Sequence, residues 1–235
     1  MNIVITGHRG FIGSHLIKKL NGTGIDIIED NDILTCDLPD ADLVIHLAAQ
    51  PDVMKSIGDP ADTCRTNIEG TVRLLKRYKD AKFIFASSGG AIQETIESPY
   101  GMSKYCAEEF IKMMHNNYVI LRFANVFGPR SRSVVDYFMD GDVNIFGDGS
   151  ATRTYIYVAD IVDGILKAIN WDNGIYMLGG TDTYTVLDLA LATGKYINFL
   201  PKREGELDHS CVENNTPNWF PKVDAIKYIK DNCNV

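Results

Sequence analysis

No apolar run in this 235-residue chain approaches the length needed to cross a bilayer, which is about 20 residues, so a membrane-spanning role is not expected. Met1 leads directly into the apolar run Ile3-Val4-Ile5 rather than into a secretory leader. Positive charge is also short. The 23 Lys and Arg are outnumbered by 31 Asp and Glu, for a net charge of -8, which argues against a general nucleic-acid binder and leaves room only for a local basic pocket. Cysteine is sparse and unpatterned: Cys36, Cys64, Cys106, Cys211 and Cys233 are odd in number and contain no CxxC pair. Neither a disulfide framework nor a metal site is expected from them, and reduced thiols in a cytoplasmic protein account for them best. Internal repeats and low-complexity segments are absent.

What is present is an alternation of apolar runs and amphipathic segments, the pattern of a parallel sheet covered by helices. The runs are Ile3–Thr6, Ile25–Glu29, Leu43–Leu47, Phe83–Ala86 and Val119–Phe123, with helical patterns at Phe11–Leu20, Pro60–Tyr78 and Pro99–His115. In the second helix Ile68, Val72 and Leu75 mark the buried face, with Arg73, Lys76 and Arg77 facing solvent. The stretch from Asp30 to Asp42 is too short for the usual helical crossover between parallel strands, so the sheet is expected to be trimmed on that side. After about Gly128 the texture changes to turn-rich segments without regular alternation. The expected organisation is a Rossmann-like, doubly wound domain over residues 1–128 and a smaller, less regular lobe over 129–235. Elements near 158–178 are expected to return to the first sheet.

Within TGHRGFIG, Gly7, Gly10 and Gly13 fall at the first strand-to-helix junction. There, Gly7 would make the turn, Gly10 would let a pyrophosphate approach the backbone, and Gly13 would let the helix pack on the strand. The helix N-terminus adds free N–H groups and positive dipole. The spacing is GxxGxxG rather than GxGxxG, which points to a subclass of dinucleotide binders. The second run ends in IDIIEDND, where an acid can accept hydrogen bonds from both ribose hydroxyls of NAD and repel the 2′-phosphate of NADP. Asp30 is the expected residue and Glu29 the alternative.

In SPYGMSK, Ser98 and Pro99 are placed as N-cap and first helical residue. Tyr100 and Lys104 then share one face of the helix. A phenol, with a reference pKa of about 10, is a poor base near neutrality unless a nearby ammonium favours its ionised form. The run FIFASS brings Ser87 and Ser88 to the carboxyl edge of the sheet, where a hydroxyl can bind a group being oxidised or reduced.

Taken together, these residues resemble the extended short-chain dehydrogenase/reductase family, and within it the nucleotide-sugar epimerases and dehydratases. The resemblance runs through TGHRGFIGSHL, DLVIHLAAQ, NIEGT, FIFASS, YGMSK, LRFANVFGPR, GDGSATRTYIYVAD and KREGE. It implies that Ser88 and Tyr100 act on the sugar hydroxyl or ketone and that Lys104 binds the nicotinamide ribose. Gly7, Gly10, Phe11, Ile12 and Gly13 would line the pyrophosphate, Asp37 and Leu38 the adenine, and Leu47, Ala48 and Ala49 the cofactor ribose, with Asn67 supporting the site. Asn125, Arg153 and Arg203 match positions that hold the substrate's diphosphate, a role that suits guanidinium forks.

Two departures shape the functional expectation. Ile92 replaces the family's usual tyrosine in a shortened loop between Ser88 and Tyr100. Gly89-Gly90-Ala91 stands where the family's dehydratases place acids, so elimination lacks its acid and base. The expectation is therefore an NAD-dependent epimerase acting on a UDP-, GDP- or dTDP-hexose, most simply at C4 through a transient keto-sugar. Family members often form homodimers through the helices at Pro60–Tyr78 and Pro99–His115. A nucleotide-sugar reductase or 4,6-dehydratase is the alternative enzyme, and a catalytically silent NAD(P)-binding regulator the alternative from another class.

Overall fold

All four residues of the first strand, β1 (Ile3–Thr6), are buried, as required of a strand covered on both faces. This strand opens a computed structural model that describes residues 1–202 and 209–233. The chain continues through α1 (Phe11–Leu16), β2 (Thr23–Ile25), β3 (Leu43–His46), α2 (Val53–Gly58), α3 (Pro60–Cys64), α4 (Gly70–Arg77), β4 (Lys82–Ser88), α5 (Pro99–Met114) and β5 (Tyr118–Phe123). It then forms β6 (Asn125–Phe127), α6 (Val134–Asp140), β7 (Val143–Phe146), β8 (Thr152–Tyr157), α7 (Val158–Ala168) and β9 (Gly174–Leu178). The last elements are β10 (Thr183–Thr185), α8 (Val186–Ala192), β11 (Ile197–Leu200), β12 (His209–Ser210) and α9 (Ala225–Asn232).

Six strands form the main sheet in the order β2-β1-β3-β4-β5-β9. The β1–β2, β1–β3 and β3–β4 pairs are parallel. Strand order reverses at β1, which makes its carboxyl end the topological switch point where such sheets bind ligands. The Rossmann-like α/β class read from the alternation is the fold observed.

The chain divides into two compact units, Met1–Arg122 with Ile165–Tyr176, and Phe123–Gly164 with Met177–Val235. In the first, Val44, Leu74, Leu75, Phe83, Phe85, Ala107, Ile111 and Ile120 pack into one core. In the second, β6, β10 and β12 all pair with β8, and β7 pairs with β11. Its core gathers Phe127, Val135, Phe138, Ile145, Tyr155, Leu189 and Ile229.

Three expectations about local structure need correction. The second strand stops at Ile25, and Ile27–Glu29 is a 3-10 turn. The cause is Asp26, whose side chain accepts from the Ile28 N–H at 3.1 Å and caps the turn. The helix expected over Pro60–Tyr78 is interrupted by a π-helical turn at Arg65–Glu69, in which the Gly70 N–H reaches back to the Arg65 carbonyl. Finally, Arg73 and Arg77 do not simply face solvent. The Arg73 guanidinium donates to the carbonyls of Ile33 and Cys36, both at 2.6 Å, and Arg77 Nε donates to Leu38 O at 3.2 Å. Residues 30–42 contain neither strand nor helix, so these two α4 arginines, one turn apart, hold a loop where a crossover helix would otherwise sit.

A buried ion pair fixes α5 against the sheet. Glu108 is fully buried and accepts from Arg122 Nε at 3.0 Å and from the second guanidinium nitrogen at 2.7 Å, while the Ser87 hydroxyl donates to the same carboxylate. An uncompensated buried carboxylate is costly. Arg122→Met should destabilise the protein by about 3–5 kcal/mol, and adding Glu108→Leu should restore most of the loss. Urea unfolding of the three proteins checks both expectations.

Candidate active site

The glycine loop is shaped first by the protein's own backbone. Gly7 has φ +70, and a Cβ there would lie 2.7 Å from Ala48 N. A Cβ on Gly13 would lie 2.1 Å from Gly7 O, so α1 can start this close to the loop only with glycine at that position. Gly10 differs. Its Cβ would meet only Gly7 O, at 3.1 Å, and otherwise enter open space. That open side is a cradle a side chain would fill, next to the outward-pointing N–H groups of the first helical turn. The arrangement fits a pyrophosphate, as a bound NAD requires. Phe11 and Ile12 line the same turn and are partly exposed.

Asp30, the expected ribose partner, is not at the strand end. It terminates the 3-10 turn in the left-handed region, with φ 57. The residue directly after β2 is Asp26, buried to 6 % exposure. One carboxylate oxygen accepts from the Arg9 N–H of the glycine loop at 2.8 Å, and the other from Ile28 N. Asp26 thus stands directly after the strand, where the apolar run places Asp30, because its own side chain ends β2 at Ile25. The short connection from α1 was the available signal of that early end. Of the expected adenine residues, Asp37 is exposed, whereas the Leu38 side chain packs on the apolar core. Leu47, Ala48 and Ala49 follow β3 and are partly exposed, with Leu47 N donating to Thr6 O at 3.1 Å and Ala48 N to Thr6 Oγ1 at 3.2 Å.

A buried polar chain underlies this end of the sheet. Thr71 donates to Asn67 O at 2.6 Å, so its oxygen accepts from His46 Nε2 at 3.0 Å, and His46 Nδ1 accepts from the Thr6 hydroxyl at 2.7 Å. Burial, with Lys104 adding to it, pushes the His46 pKa down to about 3, which keeps the ring neutral as this network requires. Asn67, in the π-helical turn, accepts from Gln50 N and donates to Gln50 O and to Ser103 Oγ. It therefore joins the chain leaving β3 to α5.

Ser88, Tyr100 and Lys104 are brought together. Ser98 caps α5 by accepting from Gly101 N at 3.1 Å, and Ser56 Oγ accepts from Tyr100 N at 3.1 Å. Gly101 is required because a Cβ there would lie 2.3 Å from Gly90 O. The Ser88 hydroxyl lies near enough to the Tyr100 phenol to favour its ionised form. Lys104 is buried, donates to Ala86 O at 2.9 Å and lies 4.7 Å from the centre of the Phe85 ring. The electrostatics correct the expectation that an ammonium depresses the phenol. Burial pushes Tyr100 up, with Ser88 opposing it, and burial pushes Lys104 down to about 7, with Glu108 opposing it. Tyr100 retains partial surface exposure.

In the second unit, Asn125 Nδ2 donates to Thr154 O at 3.1 Å and Arg153 donates to Thr152 O at 2.9 Å. Both stand on neighbouring strands, with Asn125 opposite Tyr155 in the β6–β8 register. Arg203 lies outside the described residues. Among the described residues no helix is long and apolar enough to cross a membrane.

The Lys104 shift has a consequence for stability. Its pKa falls from 10.5 to about 7 on folding, so between those values the unfolded chain binds more protons and stability must rise with pH. The contribution is at most about 1.4 kcal/mol per pH unit. Lys104→Met should remove it, giving a flatter stability profile between pH 7 and 10.5 in denaturant titrations of both proteins.

With this geometry in place, the similarities to known proteins are informative. The chain is 33% identical over 294 aligned positions to a putative UDP-glucose 4-epimerase of Methanocaldococcus jannaschii, covering 97% of this chain and 96% of that protein. It superposes with a TM-score of 0.84 on the UDP-glucose 4-epimerase of Thermotoga maritima solved with UDP-glucose, at 31% identity and covering 99% of this chain and 97% of the other. The UDP-glucuronic acid 4-epimerase of Bacillus cereus, solved with UDP-glucuronic acid and NAD, gives a TM-score of 0.83 at 27% identity, covering 99% and 98% of the two chains. The model of the NAD dependent epimerase/dehydratase family matches residues 3–179, and the chain belongs to that family.

Proposed function

We propose that this protein is a cytoplasmic, NAD-dependent epimerase of UDP-sugars, acting at C4. The observation that carries the reading is the gathering of Ser88 and Tyr100 beside the buried Lys104, with only Gly89-Gly90-Ala91 after the serine. NAD, when bound, supplies a reversible hydride acceptor. Tyr100 takes the proton from the sugar hydroxyl and returns it at the end of the reaction. Ser88 hydrogen-bonds the same oxygen, and it also lowers the cost of charge on Tyr100. Gly89-Gly90-Ala91 offer no carboxylate after Ser88 to remove a second proton or expel water, which favours re-reduction of the keto-sugar over elimination. The glycine loop, Asp26 and Lys104 are the groups that hold the cofactor in this reading. Asn125, Arg153 and Arg203 are assigned to the substrate diphosphate, the last on its KREGE context alone. A homodimer through α3–α4 and α5 is part of the same proposal, and the exposed Met102 and Met113 on α5 support it.

The reaction is tested by incubating UDP-glucose and UDP-glucuronic acid with the enzyme and less than stoichiometric NAD. A product of unchanged mass and altered retention is expected. Loss of water or of carbon dioxide, or consumption of cofactor in proportion to product, overturns the reading. Tyr100→Phe keeps the ring but removes the ionisable oxygen. It should lower turnover by about a hundredfold to ten-thousandfold and leave UDP-sugar binding, measured by calorimetry, nearly unchanged.

A further inference from the structure

Helix α2 buries almost nothing of its own. It has six residues, too few to persist as an isolated helix, and every residue from Pro51 to Pro60 is exposed except Ser56. Ser56 is fully buried. The place of α2 is therefore set by hydrogen bonds rather than by apolar burial. At its start Asp52 accepts from Lys55 N at 2.9 Å, and Gln50 Oε1 accepts from Asp52 N at 2.6 Å. Further along, the link is Ser56 itself.

A buried hydroxyl has to be satisfied. Ser56 Oγ donates to Val53 O at 2.6 Å within α2, and it accepts from Tyr100 N at 3.1 Å, 44 residues away. Pro99 opens α5 without an N–H, and Ser98 accepts from Gly101 N. The Tyr100 N–H between them has no partner within the helix, and Ser56 supplies one from outside. The Tyr100 carbonyl is held as well. Ser103 Oγ donates to it at 2.7 Å and accepts from Asn67 Nδ2 at 2.9 Å. Asn67 in turn accepts from Gln50 N at 2.8 Å, at the head of the segment that carries Ser56. Both main-chain groups of Tyr100 are thus anchored to the chain between Gln50 and Asn67. The phenol stands at the far end of its side chain, so a small tilt of the first turn of α5 is magnified at the hydroxyl.

We propose that Ser56 is a positioning residue for the reaction, its hydroxyl docking α2 on the first turn of α5 and fixing Tyr100 for proton transfer with the sugar. This rests on the reading of Tyr100 as the group that takes the sugar's proton. Ser56 takes no proton itself, because its own is committed to Val53 O. It acts only through Tyr100.

Steady-state kinetics on the full chain with NAD and either UDP-glucose or UDP-glucuronic acid test the proposal. Four proteins are compared: wild type, Ser56→Ala, Tyr100→Phe and the double variant. Ser56→Ala should lower kcat by about tenfold to a hundredfold, the upper figure being the scale of a misplacement of about 1 Å, and leave KM nearly unchanged. In the Tyr100→Phe background the same change should cost almost nothing further, since residues that act as a unit are not additive. A merely structural serine would lower activity equally in both backgrounds. That result, or a Ser56→Ala variant with the kcat of wild type, overturns the proposal while a collapsed Tyr100→Phe leaves the reading of Tyr100 standing. If Tyr100→Phe keeps its turnover, or wild type converts neither sugar, both are overturned. Thermal melting of each variant confirms that the fold is retained. Should Ser56→Ala melt early, Ser56→Cys, whose sulfur is a weak acceptor in a similar volume, supplies the same comparison.

Discussion

The architecture on the adenosine side depends on one carboxylate in a confined space. Only 17 residues separate Ile25 from Leu43, the end of one strand and the start of the next in this part of the chain. No helix is available to cover that edge. Asp26 replaces the missing element by binding two N–H groups at once, one from the glycine loop and one from the 3-10 turn. A buried carboxylate with two backbone donors is satisfied, so the turn becomes a fixed part of the site. The remaining loop is then held from the opposite side by Arg73 and Arg77, which supply donors to carbonyls that a helix would have satisfied internally. Gly70 completes this packing, since a Cβ there would lie 2.6 Å from Ile33 Cδ1.

Burial governs the catalytic helix in the same way. Lys104, Glu108 and Ser103 all lie on the covered face of α5. Desolvation disfavours charge on Lys104 and on Tyr100 alike, and each has a single neighbour working against it, Glu108 for the lysine and Ser88 for the phenol. Arg122 engages both oxygens of Glu108, which stabilises the carboxylate and also draws off part of its field. Burial thus opposes charge on both groups, and the phenolate that must accept the sugar's proton relies on Ser88 for its support.

Sequence reasoning was most successful where one local pattern determines one local structure. The strands at Ile3–Thr6 and Leu43–His46 are apolar runs of three residues closed by one buried polar residue each, and α5 begins where Ser98 and Pro99 place it. The glycines and the Tyr100–Lys104 spacing were legible for the same reason. What was missed depends on partners distant in sequence. The identity of the strand-end acid turns on Asp26 meeting Arg9, 17 residues away. Arg73 looks like a solvated helix residue until the irregular loop it binds, 37 to 40 residues away, is in place. The π-helical turn is invisible to a search at helical period because it inserts into an otherwise regular pattern, yet it carries Asn67. The depressed ionisation of Lys104 could not be read from spacing, because i and i+4 placement gives proximity and says nothing of solvent.

The loop from Ser88 to Tyr100 links these electrostatics to the chemistry. It is short, and it closes only because Gly101 allows α5 to approach the Gly90 carbonyl. Ser88 Oγ accepts from Gly90 N at 3.1 Å, which leaves its own proton free to be given to the Tyr100 oxygen. An acidic side chain at position 89 or 90 would compete for that backbone donor or for the serine proton, and it would add negative charge beside a phenol whose ionisation burial already disfavours. The compact glycine turn therefore does two things with one geometry. It keeps the serine beside the tyrosine, and it places no carboxylate directly after the serine, so that a sugar oxidised there has re-reduction as its favoured way out.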